Sequence, residues 1–290
     1  MKQKSAHVVL ILSILAVSCA APLAKMLQPT HAITIGFWRC LIIGIIFSPF
    51  LLKEKIPLKS LFLSVGAGFF LAMHFWSWFA SLQYTNTLRS TLLVCLNPIW
   101  VGILEGLILK RMPSKNHWYG VVVALFGLAL MGFEPQESQA TLYGDLLALL
   151  GGILGALYLL VGRKVRATVS IAPYGAIICL SAALFLGLMS PLNSVSLELK
   201  GDNAWLLIVL MALGPQLTGH IGLNYAMGYF SAAIVSLMLL FEPIGAALIA
   251  IPLLGEYPTF IDVMACIIIL TGLFIGTVDK NQMFQSGKPQ

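Results

Sequence analysis

Apolar runs long enough to cross a lipid bilayer fill almost the whole sequence. A hydrocarbon core about 30 Å thick requires about 20 apolar residues in each helix that spans it. Because backbone polar groups in lipid must be satisfied within the protein, each run is predicted to be a helix. The runs lie near residues 7–27, 32–52, 60–82, 87–109, 117–134, 142–162, 170–190, 204–226, 231–254 and 259–278. The predicted fold class is an all-α membrane protein with ten transmembrane helices.

The overall composition agrees with a chain that lies mainly in lipid. Hydrophobic residues make up 59% of the 290 residues and charged residues 10%, whereas about a quarter of an ordinary soluble domain is charged. The longest connection, about 191–203, is too short for a soluble catalytic domain. The first run has a basic start but no clear cleavage site, so it is predicted to be a permanent helix.

The five cysteines lie within the runs and have no metal-binding spacing. They are predicted to be small apolar fillers, and no metal or cofactor is expected. Most of the 17 Lys and Arg residues fall in connections on the same side as the N-terminus. The positive-inside rule therefore predicts that both termini are cytoplasmic. This asymmetry also explains the net charge of +6, so no nucleic-acid partner is expected.

An internal repeat divides the runs into two sets of five. "NPIWVGILEGLILKRMP" (97–113) and "EPIGAALIAIPLLGEYP" (242–258) align without a gap when shifted by 145 residues, which matches Pro98 with Pro243. The predicted repeats are residues 1–137 and 138–290. Since five is odd, the second repeat must cross the membrane in the opposite sense to the first. Inverted repeats of this kind are typical of secondary transporters, whose sites lie at mid-membrane between the repeats.

Several segments also carry a family resemblance. "YTNTLRSTLLVCLNPIW", "SAAIVSLMLLFEPIGAALIAIPLLGE" and the "FWR" of the second run, within a layout of five plus five spans, resemble the EamA type of the drug/metabolite transporter superfamily. The resemblance implies a small-molecule permease of the inner membrane, in a superfamily that moves amino acids, nucleotide-like metabolites, sugars or toxic compounds. The second half has the family's usual ending at Gly255 and Glu256, whereas the first half has Lys110 and Arg111 there.

Polar side chains form stripes on two equivalent helices. His74, Ser77, Trp78 and Ser81 share one face of the third run, and Gln216, His220 and Asn224 share one face of the eighth. Lipid requires no polar side chain, so these faces are predicted to meet at a cavity. Helices one, three, four, six, eight and nine are expected to surround it. Tyr158 is a candidate wall residue, and the glycines on its face are interpreted as a close helix contact.

A glutamate beside a proline interrupts the ninth run. An ionised side chain at the bilayer centre costs about 2.5–3.5 kcal/mol on insertion scales, so Glu242 should be protonated, paired or in contact with water. Pro243 removes a backbone hydrogen-bond donor and bends the helix. Two interpretations stay open: a substrate or proton site, and a carboxyl that Arg39 pins in place. Arg39 itself is either an ion-pair partner or a ligand for an anionic group, and Arg89 is interpreted as a surface side chain.

Together these features predict a secondary transporter rather than an enzyme. The predicted substrate is a small polar metabolite, such as a zwitterionic amino acid or a nucleotide-like compound, moved by alternating access with proton coupling or exchange. The alternatives are an exporter of drugs or toxic metabolites, a channel and, more distantly, an intramembrane enzyme acting on lipid-linked substrates. A monomer and a homodimer in the lipid bilayer both stay open. The predicted substrate-binding residues are His74, Trp78, Tyr158, Gln216, His220, Asn224 and Glu242, with Lys25 and Arg39 as charge partners.

Overall fold

A computed structural model describes residues 2–109, 115–132, 142–230 and 232–277, and within these ranges every regular element is helical. The first repeat contains α1 (Lys2–Ser18), α2 (Ala20–Met26), α3 (Ala32–Phe47), a 3-10 turn (Ser48–Leu52), α4 (Leu58–Ser81), α5 (Thr87–Val94), α6 (Asn97–Leu109) and α7 (Lys115–Gly132). The second contains α8 (Leu142–Arg166), α9 (Ile171–Leu192), α10 (Ala204–Met211), a π-helical segment (Ala212–Ile221), α11 (Gly222–Ala226), α12 (Ala232–Leu239), α13 (Glu242–Leu254) and α14 (Phe260–Thr277).

The helices reproduce the ten predicted spans. In the part of the chain that the structure describes, seven helical stretches are long and apolar enough to cross a membrane, and three shorter apolar helices accompany them. The shorter ones are Trp118–Gly127, Glu242–Leu254 and Phe260–Gly276. Each of the ten falls on one predicted run, so the all-α fold class is confirmed. The predicted boundary at residues 137 and 138, and the side chains of Lys110 and Arg111, lie outside the described residues.

The fourth and ninth spans are broken at equivalent positions. α5 and α6 are separated at residues 95–96, and α12 and α13 at residues 240–241. A shift of 145 residues carries the first and last residues of α5 onto those of α12, and those of α6 onto those of α13. Pro98 and Pro243 each stand second in the helix after the break. Since proline has no N–H to bond the carbonyl four residues earlier, the repeated prolines account for both interruptions.

Contacts between the repeats follow a two-fold pattern. α4, the third span, packs along α8, the sixth, and the π-helical eighth span packs along α1, the first. The second and seventh spans pair as α3 with α9, and the fifth and tenth as α7 with α14. Asp145 near the start of α8 contacts Arg89 near the start of α5. Lys25 near the end of α2 contacts Glu256, which also accepts from the N–H of Thr87.

These contacts show that the repeats are inverted. The first span ends at the membrane face where the sixth span begins, so equivalent spans run in opposite directions. We call this face, where α2 ends and both α5 and α8 begin, the distal face. The opposite face, where α1 begins and α8 ends, is the proximal face. The predicted pair of inverted five-helix repeats is therefore confirmed.

The eighth span departs from a regular α-helix. Residues Ala212–Ile221 form a π-helix that contains Pro215, and the Thr218 hydroxyl donates to the Leu213 carbonyl at 3.0 Å. Ser13 of α1 donates to the Thr218 carbonyl at 2.9 Å. Such segments are rare and often lie at functional sites. The predicted stripe on this span assumed an α-helical repeat throughout, and that assumption is wrong for ten residues.

Candidate functional site

A small cavity lies between the two repeats, next to both helix breaks. Its volume is about 30 Å³, which is room for about two water molecules. The first, third, fourth, sixth, eighth and ninth spans all contribute to its wall, as predicted. The lining residues are Val17, His74, Trp78, Val94, Asn97, Gly155, Tyr158, Leu159, His220, Leu223, Leu239 and Glu242.

Glu242 is the only carboxylate among the described residues that line the cavity. It is the first residue of α13, and 5% of it is exposed. The Cys95 thiol donates to its Oε2 at 3.5 Å, which joins the two helix breaks. Among the described residues, neither Arg39 nor Lys25 forms an ion pair with it. The interpretation in which Arg39 pins this carboxyl therefore has no support in this conformation.

Two histidines face each other across the wall, one from each repeat. The ring centroids of His74 and His220 are 6.0 Å apart. His74 Nδ1 lies 2.8 Å from the Gly151 carbonyl. A carbonyl can only accept, so Nδ1 donates and Nε2 is left for another partner. His220 Nδ1 is buried and has no hydrogen-bond partner within the described ranges.

Aromatic side chains and a buried amide complete the wall. Trp78 and Tyr158 are almost fully buried, and Trp78 Nε1 has no partner in the described part of the chain. The Asn224 amide donates to the Tyr158 hydroxyl and, at 2.7 Å, to the His220 carbonyl. Asn224 itself is not a lining residue. It therefore fixes the two wall residues from behind.

Gln216 is also absent from the wall. Its Nε2 lies 3.4 Å from the Cys179 sulfur, and its Oε1 is buried without a partner among the described residues. Asn97, by contrast, lines the cavity, and its Oδ1 has no partner within the described ranges. Its equivalence to Glu242 was the signal that could have identified it. Gly155 also lines the cavity, and a Cβ there would lie 3.0 Å from His74 Nδ1.

The remaining predicted charges lie away from the cavity. Lys25 pairs with Glu256 at the distal face. Arg89 forms a two-point ion pair with Asp145, with Nη2 at 2.6 Å and Nε at 2.8 Å. The interpretation of Arg89 as a simple surface side chain is therefore wrong. Its partner is 56 residues away in the sequence, so only the tertiary structure reveals the pair.

Both ion pairs connect the first repeat to the second at the distal face. Lys25 and Arg89 belong to the first repeat, and Glu256 and Asp145 to the second. Side-chain exposure is between 15% and 27% for all four residues. The two repeats are thus joined at the distal face by partly buried ionic contacts.

Comparisons with known proteins agree with this architecture. The model of the EamA-like transporter family matches residues 4–133 and again residues 142–277. The chain belongs to the EamA-like transporter family. The two matches each cover one five-helix repeat. An EamA-family protein is a transporter, so the chain is a multi-pass membrane transporter.

Relatives of this EamA-family chain carry transporter names as well. Uncharacterized transporter YyaM of Bacillus subtilis is 26% identical over 199 residues, covering 66% of this chain and 65% of that protein. An uncharacterized transporter of Archaeoglobus fulgidus is 26% identical over 196 residues, covering 66% and 68%. The chain thus spans about two thirds of the length of these curated relatives. A solved crystal structure superposes with a TM-score of 0.69 over 95% of this chain and 97% of its own, at 18% identity, which shows the shared fold.

Proposed function

We propose that this EamA-family transporter moves a small polar metabolite, such as an amino acid, across the inner membrane by alternating access, with both termini in the cytoplasm. One observation carries the proposal. The wall of the cavity between the repeats contains polar atoms that have no partner among the described residues, at His220 Nδ1 and Asn97 Oδ1, beside the carboxyl of Glu242. A substrate with hydrogen-bonding groups would satisfy them.

The energetic cost of this wall supports a binding role. A buried polar group without a partner costs about 1–3 kcal/mol. A purely structural core at this position would be more stable with apolar side chains. Groups of this kind within membrane spans usually mark a substrate or ion pathway.

Each wall residue has a role in the proposal. Trp78 and Tyr158 would supply the flat apolar walls, and His74 and His220 the hydrogen bonds. Glu242 would hold a positive group of the substrate or exchange a proton with it. Gln216 and Asn224, which do not line the cavity in this closed conformation, would act behind the wall.

The small volume of the cavity indicates which conformation of the transporter this is. About 30 Å³ is far below the roughly 300 Å³ at the small end of typical ligand pockets, so the structure is a closed state that must expand to bind. Separation of the repeats at the distal face would break the Lys25–Glu256 and Arg89–Asp145 pairs. Separation at the proximal face would leave both pairs intact. The two movements together would constitute alternating access around one site.

Uptake into proteoliposomes tests the proposal. Purified protein is reconstituted and challenged with radiolabelled amino acids, nucleosides and nucleotide-like metabolites, with empty vesicles as the blank. We expect saturable uptake of at least one compound, stimulated by the same compound inside the vesicle. Linear uptake without exchange would favour a channel, and no uptake of any compound in either direction would refute the proposal.

An exporter of organic cations is a second candidate, and one feature of the wall favours it. A carboxylate beside a tryptophan and a tyrosine is a suitable environment for a bulky cation, since aromatic faces attract cations within about 6 Å. The same vesicles can be tested with a quaternary ammonium dye. Uptake of the dye that amino acids do not inhibit would select this candidate over the first.

A further inference from the structure

An arginine lies at the centre of the bundle, and no carboxylate of the described residues forms an ion pair with it. Arg39 is in the middle of α3 and is 0% exposed. Its Nε, Nη1 and Nη2 atoms all lack a hydrogen-bond partner in the part of the chain that the structure describes. The two ion pairs found among the described residues both lie at the distal face and do not include it.

The protein compensates this charge only in part. An arginine stays protonated in proteins, so neutralisation by proton loss is not available to it. Its guanidinium lies 4.2 Å from the centroid of the Phe75 ring and 5.4 Å from that of Phe79. A cation–π contact is favourable, but it occupies the face of the guanidinium and leaves the five N–H donors at its edge unused. Those donors are free for a planar anion.

Further polar groups surround the guanidinium. Cys179, Tyr158 and Glu242 are close enough to interact with it electrostatically. Cys179 in turn contacts Gln216, whose Oε1 is fully buried without a partner among the described residues. The oxygen and nitrogen of a glutamine amide are assigned from hydrogen bonding, so the amide can also turn its N–H₂ group toward an anion. Arg39 thus supplies unused donors, and Gln216, which contacts the same cysteine, adds an N–H₂ group when its amide is turned.

Only one aromatic ring separates the Arg39 guanidinium from the cavity. Phe75, which stacks under Arg39, lies 5.0 Å from His220 between ring centroids. His220 lines the cavity. A rotation of Phe75 during expansion of the cavity would therefore bring the guanidinium edge to the substrate space. Under the 136-residue shift that aligns the second and seventh spans, the counterpart of Arg39 is Gly175, so the second repeat has no equivalent cation.

We propose that Arg39 and Gln216 form an anion subsite that binds the carboxylate of the transported metabolite. The inference rests on the proposed transport function and deepens it, because it assigns the substrate class. Arg39 binds the carboxylate at two points, as the planar fork of a guanidinium does. Glu242 faces the ammonium group, so the substrate is a zwitterion of the α-amino acid type.

Matched ligand pairs test the subsite. Binding of the 20 common L-amino acids and of their amides is measured by thermal shift and by competition for uptake, on wild type, Arg39→Lys and Arg39→Gln. An amide keeps the ammonium group and the side chain but loses the anion. We expect the best amino acid to bind wild type about 10–100-fold more tightly than its amide, the range of a charge-assisted hydrogen bond.

The variants separate recognition from folding. In Arg39→Gln the preference for the acid over its amide should fall to within a few-fold, while uptake of the amide continues. Arg39→Lys, which keeps the charge but loses the fork, should retain part of the preference. Arg163→Gln removes an exposed arginine from the proximal end of α8 and serves as the control that leaves the preference unchanged.

Two results would refute the proposed anion subsite and leave the proposed transport function intact. One is an acid-to-amide preference that is the same in Arg39→Gln as in wild type, which would make Arg39 purely structural. The other is saturable uptake confined to compounds without a carboxylate, such as nucleosides. Failure of every compound to enter the vesicles would instead refute the transport proposal itself.

Discussion

Asn97 and Glu242 are equivalent residues of the two repeats, and each begins the helix that follows a break beside the same cavity. The repeat therefore places one neutral and one acidic side chain at positions related by the pseudo-two-fold axis. Cys95 of the first break donates to Glu242 of the second. The mid-membrane charge of the cavity wall thus comes from one repeat alone, which makes Glu242 the most direct target for mutation.

Replacement of Glu242 by glutamine should abolish function without unfolding the protein. Glutamine has nearly the same shape but neither a charge nor an exchangeable proton, so we expect initial uptake rates to fall at least about 10-fold. The melting temperature should stay the same or rise, because a buried carboxyl without an ion pair costs stability. Glu198→Gln, at an exposed loop carboxylate, is the matched control. Normal uptake at every pH by both Glu242→Gln and His220→Ala would contradict the assigned site.

Loss of the Lys25–Glu256 pair should open the distal face. In Lys25→Gln we expect several-fold faster labelling of a cysteine placed at Val94 in the cavity wall, using a membrane-impermeant reagent added from the distal side in a cysteine-free background. The double variant Lys25→Glu with Glu256→Lys should bring the rate back toward that of wild type, since it keeps the pair with reversed sign but removes the acceptor of the Thr87 N–H. Lys200→Gln, an exposed lysine at the same face, should change nothing. Equal labelling rates in all four proteins would refute a gating role.

The same contact should resist moderate acid. Burial opposes ionisation of Glu256, but the Lys25 ammonium and the Thr87 N–H outweigh it, so the pKa of Glu256 is lowered. A lowered folded-state pKa means that the contact is at full strength above the ordinary glutamate pKa and is lost as pH falls through the lowered value. The thiolate fraction of any cysteine falls with pH, so each labelling rate is divided by that of a free thiol with the same reagent at the same pH. This corrected rate for the Val94 cysteine should be constant from about pH 8 to about pH 5 and increase only below about pH 4.3. A labelling rate that begins to increase near neutral pH would show that another titratable group controls the opening of the distal face.

The features that could be predicted from the sequence are those that depend on local hydrophobicity and on the internal repeat. Span positions follow from apolar length, and the two broken helices follow from Pro98 and Pro243, because a missing N–H acts wherever proline stands in a helix. The cavity residues His74 and Glu242 followed from polarity in lipid. The position of Gln216 outside the cavity wall could not be predicted. The π-helix around Pro215 changes the helical periodicity from which its stripe was derived. The Arg89–Asp145 pair also could not be predicted, since it depends on how two distant helices meet.

The orientation predicted from charge can be tested at the two termini. Both are expected to be cytoplasmic because the connections on the N-terminal side hold most of the basic residues. Reporter domains that are active only in the cytoplasm or only outside it, fused to either end in turn, should both report the cytoplasm. Opposite sides for the two ends would contradict an even number of spans and with it the inverted repeat.

A close approach between α8 and the first helix break should make Gly152 irreplaceable. A Cβ at Gly152 would lie 2.8 Å from the carbonyl oxygen of Val94, the group that Pro98 leaves without its helical N–H, and 3.2 Å from that of Leu93. Backbone atoms cannot move aside as side chains do, so Gly152→Ala should cost about 1–3 kcal/mol of stability and lower the melting temperature by several degrees. Gly66→Ala is the control, because a Cβ there meets nothing within 4 Å and alanine is favoured over glycine in a helix by up to about 1 kcal/mol. Similar melting temperatures for the two variants would mean that α5 and α8 are not held this closely, and that the cavity beside them is wider than 30 Å³.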